Sequence, residues 1–463
     1  MQLKFLNRTE ELRRLRAFLK EAPGGLAVLY GRRRCGKSRL LLEVLTGRKH
    51  AYYVGDHREA ALQRHNLAIE VGRLIPGFDR VRYPDWTTLF DRFWNEAPRG
   101  ACLALDEFPA IVAVSPEIPS LLQKRLDRPD PESPRLLLAG SSQRMMQGLV
   151  LDHSAPLFGR AREILEVRPL PASWIREALS IEDEEEAIRA FSIWGGVPRY
   201  WELASEYRRL EEAIADLVLS PLGVLHSEPD SLLMDDLRDT VQAASILSLI
   251  GQGCHRLSEI AGRLGKPATA LSRPLQRLVL LGFVKREVPF GVPERDSKRN
   301  LYRIDDPFLR FWFRWVDPNR SRLQAGQTRA VSQQVMASIG HQTAGVWEDL
   351  VRRSVLRHRY LGRTWVEVGR WWGAGTDRRP HEIDVVARTE DGRDLLLGEV
   401  DWESRAQPRQ LAQELVEKAA RFPEARDASI RLAVWTRSAG ARSIPPGSGV
   451  RFFGPADVLR VLR

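Results

Sequence analysis

A multidomain α/β fold is what this sequence predicts, and three of its runs carry that expectation. The apolar stretch Leu26 to Tyr30 leads directly into GRRRCGKS, Gly31 to Ser38; a second apolar run, ACLALDEF from Ala101 to Phe108, ends in paired acids; and residues 331–463 alternate helices with strands. Strand, glycine-framed loop and helix start, in that order, make a cradle for phosphates. Backbone N–H groups between Gly31 and Gly36 point inward, Lys37 reaches the β and γ phosphates, and the Ser38 hydroxyl ligates Mg²⁺. Asp106 is then placed to hold Mg²⁺ through water, and Glu107 to orient an attacking water. ATP and Mg²⁺ are the expected cofactors.

Composition sets the frame around these motifs. At 463 residues the chain is too long for one core, and two to four domains are expected. With 43% hydrophobic and 28% charged residues it reads as an ordinary soluble protein. No apolar run approaches a membrane span, and MQLKFLNRTEELRRL at the amino terminus is charged and helical where a secretory signal would be apolar. A cytoplasmic location with no membrane partner is therefore expected. Cys35, Cys102 and Cys254 lack the spacing of a disulfide framework or zinc site, so reduced, inert thiols are expected. The net charge of +11 and pI near 9.8 permit an acidic partner such as nucleic acid without requiring one.

Around the phosphate loop, LKFLNRTEEL (Leu3 to Leu12) is placed to fold over the adenine. Asn7 and Arg8 would lie near the base, with Glu10 or Glu11 in the first turn of the helix that follows. Arg39, next along the helix that the loop starts, belongs to the same set of nucleotide contacts. Farther on, RLLLAGSSQRMM (Arg135 to Met146) is a strand ending in small polar residues. In a parallel sheet Ser141 or Ser142 would lie close to the γ-phosphate; a serine there equally caps the next helix. Arg160, in LFGRAREILEVRPL before a further strand, is a candidate arginine finger. From Ala172 the pattern turns helical, and GGVPRY (Gly195 to Tyr200) interrupts it with two glycines and a proline. Pro198 and Arg199 would let a helical lid sense the nucleotide.

The set FLNRTEEL, GRRRCGKS, LALDEF, LAGSS, FGRA and GGVPRY resembles the archaeal-type ATPases of the AAA-related STAND and MNS group, and within it the subset with a C-terminal DUF234 domain. The resemblance implies an AAA-like parallel-sheet P-loop domain (1–170) and a helical lid (171–238). It also implies nucleotide contact from Asn7 and Arg8, phosphate binding by Lys37, Mg²⁺ at Ser38 and Asp106, and water activation by Glu107. Phosphate sensing would fall to Ser141 or Ser142, with Arg160 and the Pro198 to Arg199 turn completing the switch.

Beyond the lid, Asp239 to Asp306 reads as three helices (AASILSLI, LSEIAGRLG, LSRPLQRLVLLG) and two strands (FVKREVP, NLYRID), the winged helix-turn-helix pattern. Helical spacing assigns its core to Leu257, Ile260, Ala261, Leu264, Leu271, Leu275, Leu278 and Leu281. For DNA the candidates are Ser272, Arg273, Gln276 and Arg277 on the third helix, and Arg295, Lys298 and Arg299 in the wing. Glu287, Glu294 and Asp296 dilute that wing's charge, and protein docking is the competing use. DPFLRFWFRWV (Asp306 to Val316) is too aromatic for a linker and reads as a buried strut that closes this module at about residue 317.

The last segment, 331–463, orders helix, three strands, helix and strand: AGVWEDLVRRSVLRH, RTWVEV, EIDVVAR, LLLGEVDW, QPRQLAQELVEKAARF, SIRLAVWT. That order resembles the PD-(D/E)xK, restriction-endonuclease-like fold. Its metal ligands would be Glu348 on the helix, Asp384 on the second strand and Glu399 on the third. The nuclease pattern wants lysine two residues after Glu399, where this chain has Asp401. Lys418 on the next helix is the candidate replacement cation. Taken together, the expected function is an ATP-hydrolysing switch acting at DNA. A nucleotide-gated assembly protein and an ATP-gated, metal-dependent DNase are the alternatives, and association with further copies of the chain stays open.

Overall fold

The computed structural model describes residues 4–20, 24–127, 133–237, 239–293, 299–356, 358–402, 408–437 and 449–463. These divide into two compact units: Phe5–Leu170 with Leu232–Arg238, and Pro171–Ser231 with Asp239–Arg463. The expected winged-helix part (239–317) and C-terminal part (331–463) fall in one unit, and the division differs from the four-part expectation in two further places. Residues after Pro171 do not stand apart as a lid, because the helix Glu184–Trp194 buries Ile188, Phe191, Ile193 and Trp194 against the helices Pro307–Trp315 and Ile339–Val355. Leu232–Arg238, expected in that lid, rejoins the first unit.

The first unit is built on five parallel strands, β1 (Leu26–Tyr30), β2 (His50–Val54), β3 (Cys102–Asp106), β4 (Arg135–Gly140) and β5 (Ala161–Glu166), in the order β2-β3-β4-β1-β5. LAVLY, CLALD and RLLLAG are almost continuously buried, as strands covered on both faces must be. Leu26, Val28, Leu103, Leu105, Leu136 and Leu138 share one core with Trp86, Phe90 and Phe93. Because every strand runs the same way, the residues that follow β1, β3 and β4 emerge along one edge of the sheet. The phosphate loop, the paired acids and the two serines are those residues.

In the second unit, the helices Thr240–Gly251, Leu257–Leu264 and Ala268–Leu280 precede an antiparallel ribbon of β6 (Val284–Glu287) and β7 (Leu301–Ile304). Ile260, Ala261, Leu271, Leu275, Leu278 and Leu281 are buried as their spacing predicts, while Leu257 and Leu264 are half-buried. The aromatic run is the helix Pro307–Trp315, capped by Asp306, whose carboxylate accepts from the Leu309 amide at 2.8 Å.

The C-terminal residues first form a short hairpin of β8 (Arg359–Tyr360) and β9 (Arg363–Thr364). They then form a sheet of β10 (Glu367–Ala374), β11 (Pro380–Arg388), β12 (Asp394–Asp401), β13 (Ser429–Thr436) and β14 (Val450–Phe453), in that order. Its first two pairings are antiparallel and its last two parallel, with the helix Pro408–Arg421 between β12 and β13. The expected strand RTWVEV is split. Trp365 turns into the core and donates its indole N–H to the Tyr360 carbonyl at 3.1 Å, so the long strand starts only at Glu367. β14 and the closing helix Pro455–Val461 are elements that the sequence pattern does not announce. Among the described residues, no helix is long and apolar enough to cross a membrane.

Candidate functional site

The phosphate loop owes its path to two glycines. A Cβ at Gly31 (φ 138°) would lie 2.6 Å from the Val167 carbonyl oxygen, and Gly36 takes a left-handed φ of 92° just before the helix Lys37–Leu45. Lys37, 3% exposed, donates Nζ to the carbonyls of Gly31 (2.8 Å) and Arg32 (3.0 Å). Burial pushes its ammonium down from the usual lysine range, and the charges of Cys35, Glu107, Asp106 and Asp236 oppose that shift. A buried cation held only by carbonyls is matched to an incoming anion. Ser38 is exposed on the first turn of the same helix.

Asp106, 1% exposed, is held from two sides: Oδ2 accepts from the Tyr52 hydroxyl at 2.8 Å and Oδ1 from the Glu107 amide at 2.9 Å. Burial, then the charge of Asp106, pushes the Tyr52 phenol up, and a bond from Ser38 opposes this. The Tyr52 hydroxyl thus stands between Ser38 of the phosphate-loop helix and Asp106 of β3, bonded to the latter. Glu107 stands at φ 47°, a left-handed conformation that costs a non-glycine residue about 1–3 kcal/mol. Its Oε1 accepts from the Ser141 hydroxyl at 2.5 Å and its Oε2 from the Ser141 amide at 3.3 Å. The two open readings of the serines therefore separate: Ser141 faces Glu107, whereas Ser142 caps the short helix Gln143–Met146, accepting from the Met145 amide at 3.4 Å.

Other expected nucleotide contacts have different work. Arg8 (φ 67°, 6% exposed) donates to the carbonyls of Cys35 (3.0 Å) and Arg168 (2.5 Å) and pairs with Glu11 at 2.9 Å. It ties the phosphate loop to the chain beyond β5 and is not free to meet a base. Asn7 (φ 58°) makes the left-handed turn with it into the helix Thr9–Lys20, and Arg39 lies 5.6 Å over the Phe5 ring. Arg160 precedes β5, whose Ala161 pairs with Leu26 at the start of β1, so it lies at the amino edge of the sheet, away from the phosphate loop. There it grips Asp127 (2.7 and 3.0 Å) and the carbonyls of Pro156 and Phe158, a geometry that excludes a finger role within its own chain. Pro198 opens the helix Pro198–Ala204 of the second unit, where Arg199 pairs with Glu202 at 2.6 Å.

Four further residues at this edge are given no role by the sequence motifs, although one of them, Arg33, lies within GRRRCGKS. Tyr52 is one; the others come from the phosphate loop and the returning segment. Arg33 pairs with Asp235 at 2.9 Å, the Ser142 hydroxyl donates to the Asp235 carbonyl at 3.2 Å, and Asp236 is buried beside Ser142, Gln143 and Arg144. Burial pushes the Asp236 carboxyl up although those neighbours stabilise its charge. Tyr52 could have been found by placing a phenol at the end of the strand beside β3. Nothing local in the sequence marks Asp235, which lies 202 residues from its partner.

In the C-terminal sheet, Glu348, Asp384 and Glu399 influence one another, but each is met by the chain itself. Arg352 lies 3.5 Å from Glu348 and donates to the Asp384 carbonyl at 3.0 Å; Asp384 Oδ2 accepts from the Val400 amide at 3.0 Å. Lys418 Nζ donates to Glu399 Oε2 at 2.7 Å. Burial, then the charge of Asp384, pushes Glu348 up and carries Glu399 up to about 7. Among the described residues no three carboxylate, histidine or cysteine side chains are gathered to hold a metal ion.

On the helix Ala268–Leu280, Ser272, Arg273, Gln276 and Arg277 form an exposed face. Arg295 and Lys298 lie outside the described residues. Arg299 donates to the Trp372 carbonyl at 3.4 Å on β10, and Glu287 is enclosed between Lys285 (2.8 Å) and Arg303 (3.3 Å).

Residues 5–203 match a family described as an ATPase domain predominantly from Archaea. Residues 312–414 match DUF234, described as archaeal and bacterial proteins of unknown function. Uncharacterized protein MJECL04 of Methanocaldococcus jannaschii is 27% identical over 411 residues, covering 86% of this chain and 87% of its own length. The Walker-type ATPase PABY2304 of Pyrococcus abyssi shares the fold: TM-score 0.51 at 20% identity, over 66% of this chain and 95% of that one.

Proposed function

We propose, for a chain that joins an archaeal-type ATPase domain to a DUF234 domain, that ATP hydrolysis at the edge formed by β1, β3 and β4 drives a conformational switch acting at DNA. The observation that carries the catalytic part is the bond between Glu107 and Ser141, which joins a carboxylate at the end of β3 to a hydroxyl at the end of β4. ATP bound with Mg²⁺ supplies the phosphoryl group and neutralises its charge. The loop amides orient the phosphates and Lys37 provides the buried cation. Ser38 and Asp106 would hold the Mg²⁺, with Tyr52 fixing the Asp106 carboxylate. Glu107 turns from Ser141 to orient the attacking water, and Ser141 is left to sense the γ-phosphate.

The same edge holds the segment Leu232–Arg238, through which the chain enters and leaves the ATPase unit. Arg33 of the phosphate loop and Asp235 of that segment change partners when phosphates arrive, and this is the switch. Contact with DNA is assigned to the face bearing Arg273 and Arg277. For the C-terminal domain the nuclease-like fold is retained as a reading without cleavage, since Lys418 already neutralises Glu399.

One experiment tests these parts together: ATP turnover with and without duplex and single-stranded DNA, reading the DNA for cleavage in the same tube. Turnover without cleavage, stimulated by DNA and lost with Glu107→Gln, is expected. Turnover indifferent to DNA turns the reading toward nucleotide-gated assembly, and metal-dependent nicking turns it toward a gated DNase.

A further inference from the structure

Between its glycines the phosphate loop carries three consecutive arginines, Arg32, Arg33 and Arg34, and of these Arg33 is the exposed one. Its Nη1 donates to Asp235 Oδ2 at 2.9 Å. That bond fixes where the guanidinium lies, because the carbonyl of the same Asp235 accepts from the Ser142 hydroxyl at 3.2 Å, and Asp236, buried beside Ser142, carries its charge as far as Lys37. Ser141, the residue before, holds Glu107. Arg33 therefore reaches toward the ends of β3 and β4, where Lys37 and the water-orienting carboxylate stand.

The partner that neutralises Arg33 is easily exchanged. The two side chains are 47% and 36% exposed, and an ion pair within reach of water contributes little, so a phosphate oxygen can take the place of the Asp235 carboxylate. Phosphoryl transfer to water calls for a cation at this point. A water oxygen bonds to the γ-phosphorus as the bond to the β–γ bridging oxygen breaks; that electron pair stays on ADP, and both protons of the water leave with inorganic phosphate. Negative charge builds on the bridging oxygen and spreads over the three equatorial oxygens, where a guanidinium can meet two oxygens at once through parallel N–H groups. Arg160 stands at the opposite edge of the sheet and cannot do this within its own chain.

Resting on the hydrolytic reading above, we infer that Arg33 is a further catalytic residue: an arginine finger built into the phosphate loop itself, held on Asp235 until ATP binds and then placed on the γ-phosphoryl group. Asp235 competes with the nucleotide for it. The segment Leu232–Arg238 thereby controls a group that the reaction needs.

Steady-state turnover and equilibrium ATP binding of the full-length protein test this. Arg33→Ala should lower kcat by about 10²-fold or more, whereas ATP affinity changes far less, because Arg33 exchanges one anion for another on binding and gains most as charge builds in the transition state. Millimolar ethylguanidinium should restore part of the lost turnover in Arg33→Ala and none in Glu107→Gln, a response that a structural arginine does not give. Arg33→Lys, which keeps the charge without the fork, should fall between wild type and Arg33→Ala. Asp235→Ala should tighten ATP binding, and adding Arg33→Ala should abolish that gain. Wild-type turnover in Arg33→Ala, or a loss that neither ethylguanidinium nor Arg33→Lys lessens, overturns the assignment while Glu107→Gln stays inactive. A gain in Asp235→Ala that persists without Arg33 overturns the hold by Asp235. Equal turnover in wild type and Glu107→Gln instead overturns the hydrolytic reading beneath it.

Discussion

Both units carry carboxylates at the ends of central strands, and they satisfy them in opposite ways. In the ATPase unit Asp106 and Glu107 are held by neutral donors, namely the hydroxyls of Tyr52 and Ser141 and two backbone amides. In the second unit Glu399, near the end of β12, and Glu348, on the helix Ile339–Val355 beside it, are held by cations, Lys418 and Arg352. A carboxylate positioned by hydroxyls keeps its full charge for a metal ion or a water, whereas one closed by a lysine has already found its counter-ion. On the function proposed above, a glutamate at the end of a strand serves chemistry in one unit and structure in the other.

The sharpest way to break this contrast is at the phosphate loop. Lys37→Ala should weaken ATP binding by on the order of 10²-fold or more, through charge-assisted bonds worth about 1.5–3 kcal/mol each. Glu107→Gln should keep ATP bound and slow turnover by about 10²–10³-fold. Equilibrium binding and steady-state turnover separate the two effects, and equal turnover in wild type and Glu107→Gln would remove Glu107 from the mechanism.

The second prediction concerns Glu399. Its carboxyl, raised to about 7 in the fold against 4.5 as the ordinary value, binds its proton more tightly folded than unfolded. Its favourable contribution is therefore complete below about pH 4.5 and is lost as pH rises through about 7, a change on the order of 3 kcal/mol. Glu399→Gln should flatten that part of the stability profile measured by denaturant unfolding. A profile that keeps its slope in the variant would mean that the carboxyl is not the titrating group.

How much of the molecule is legible in the sequence follows from distance along the chain. GRRRCGKS and LALDEF are local, and each run contains both the strand and the residues at its end, so the ATP-binding edge can be read from the chain alone. The place of Arg160 is readable too once strand polarity is applied: a residue that precedes a parallel strand lies at the edge opposite the loop. Asp349 shows the limit. Its charge is met by Lys285, Arg310 and Arg352, and two of these come from other elements far away in sequence. The same holds for Asp235, and it is the packing of the aromatic helix that decides where residues 171–231 belong.

A finer test lies in Asp235. Asp235→Ala frees Arg33 and removes an acid from the neighbourhood of the incoming phosphates, so ATP affinity should rise by about fivefold. Unchanged affinity by equilibrium titration would leave the pair as a surface contact of small worth. The smallest effect is expected at Arg160. Arg160→Ala should cost up to about 1 kcal/mol of stability and leave turnover intact. A large loss of turnover, recovered by mixing with Lys37→Ala protein, would assign the arginine to a neighbouring copy of the chain.

The return of Leu232–Arg238 to the ATPase unit also bears on how the protein is made. Synthesis runs from the amino terminus and domains tend to fold as they emerge, yet this unit lacks its last piece when Leu170 has been added and gains it only after the next helices have passed. Until then Arg33 has no Asp235, and the buried place of Asp236 beside Ser142 stands open on a nascent chain. The ATPase half is completed out of order, by residues translated after the second unit has begun, so a ribosome stalled anywhere between Pro171 and Ser231 would present a phosphate loop still without its acidic partner.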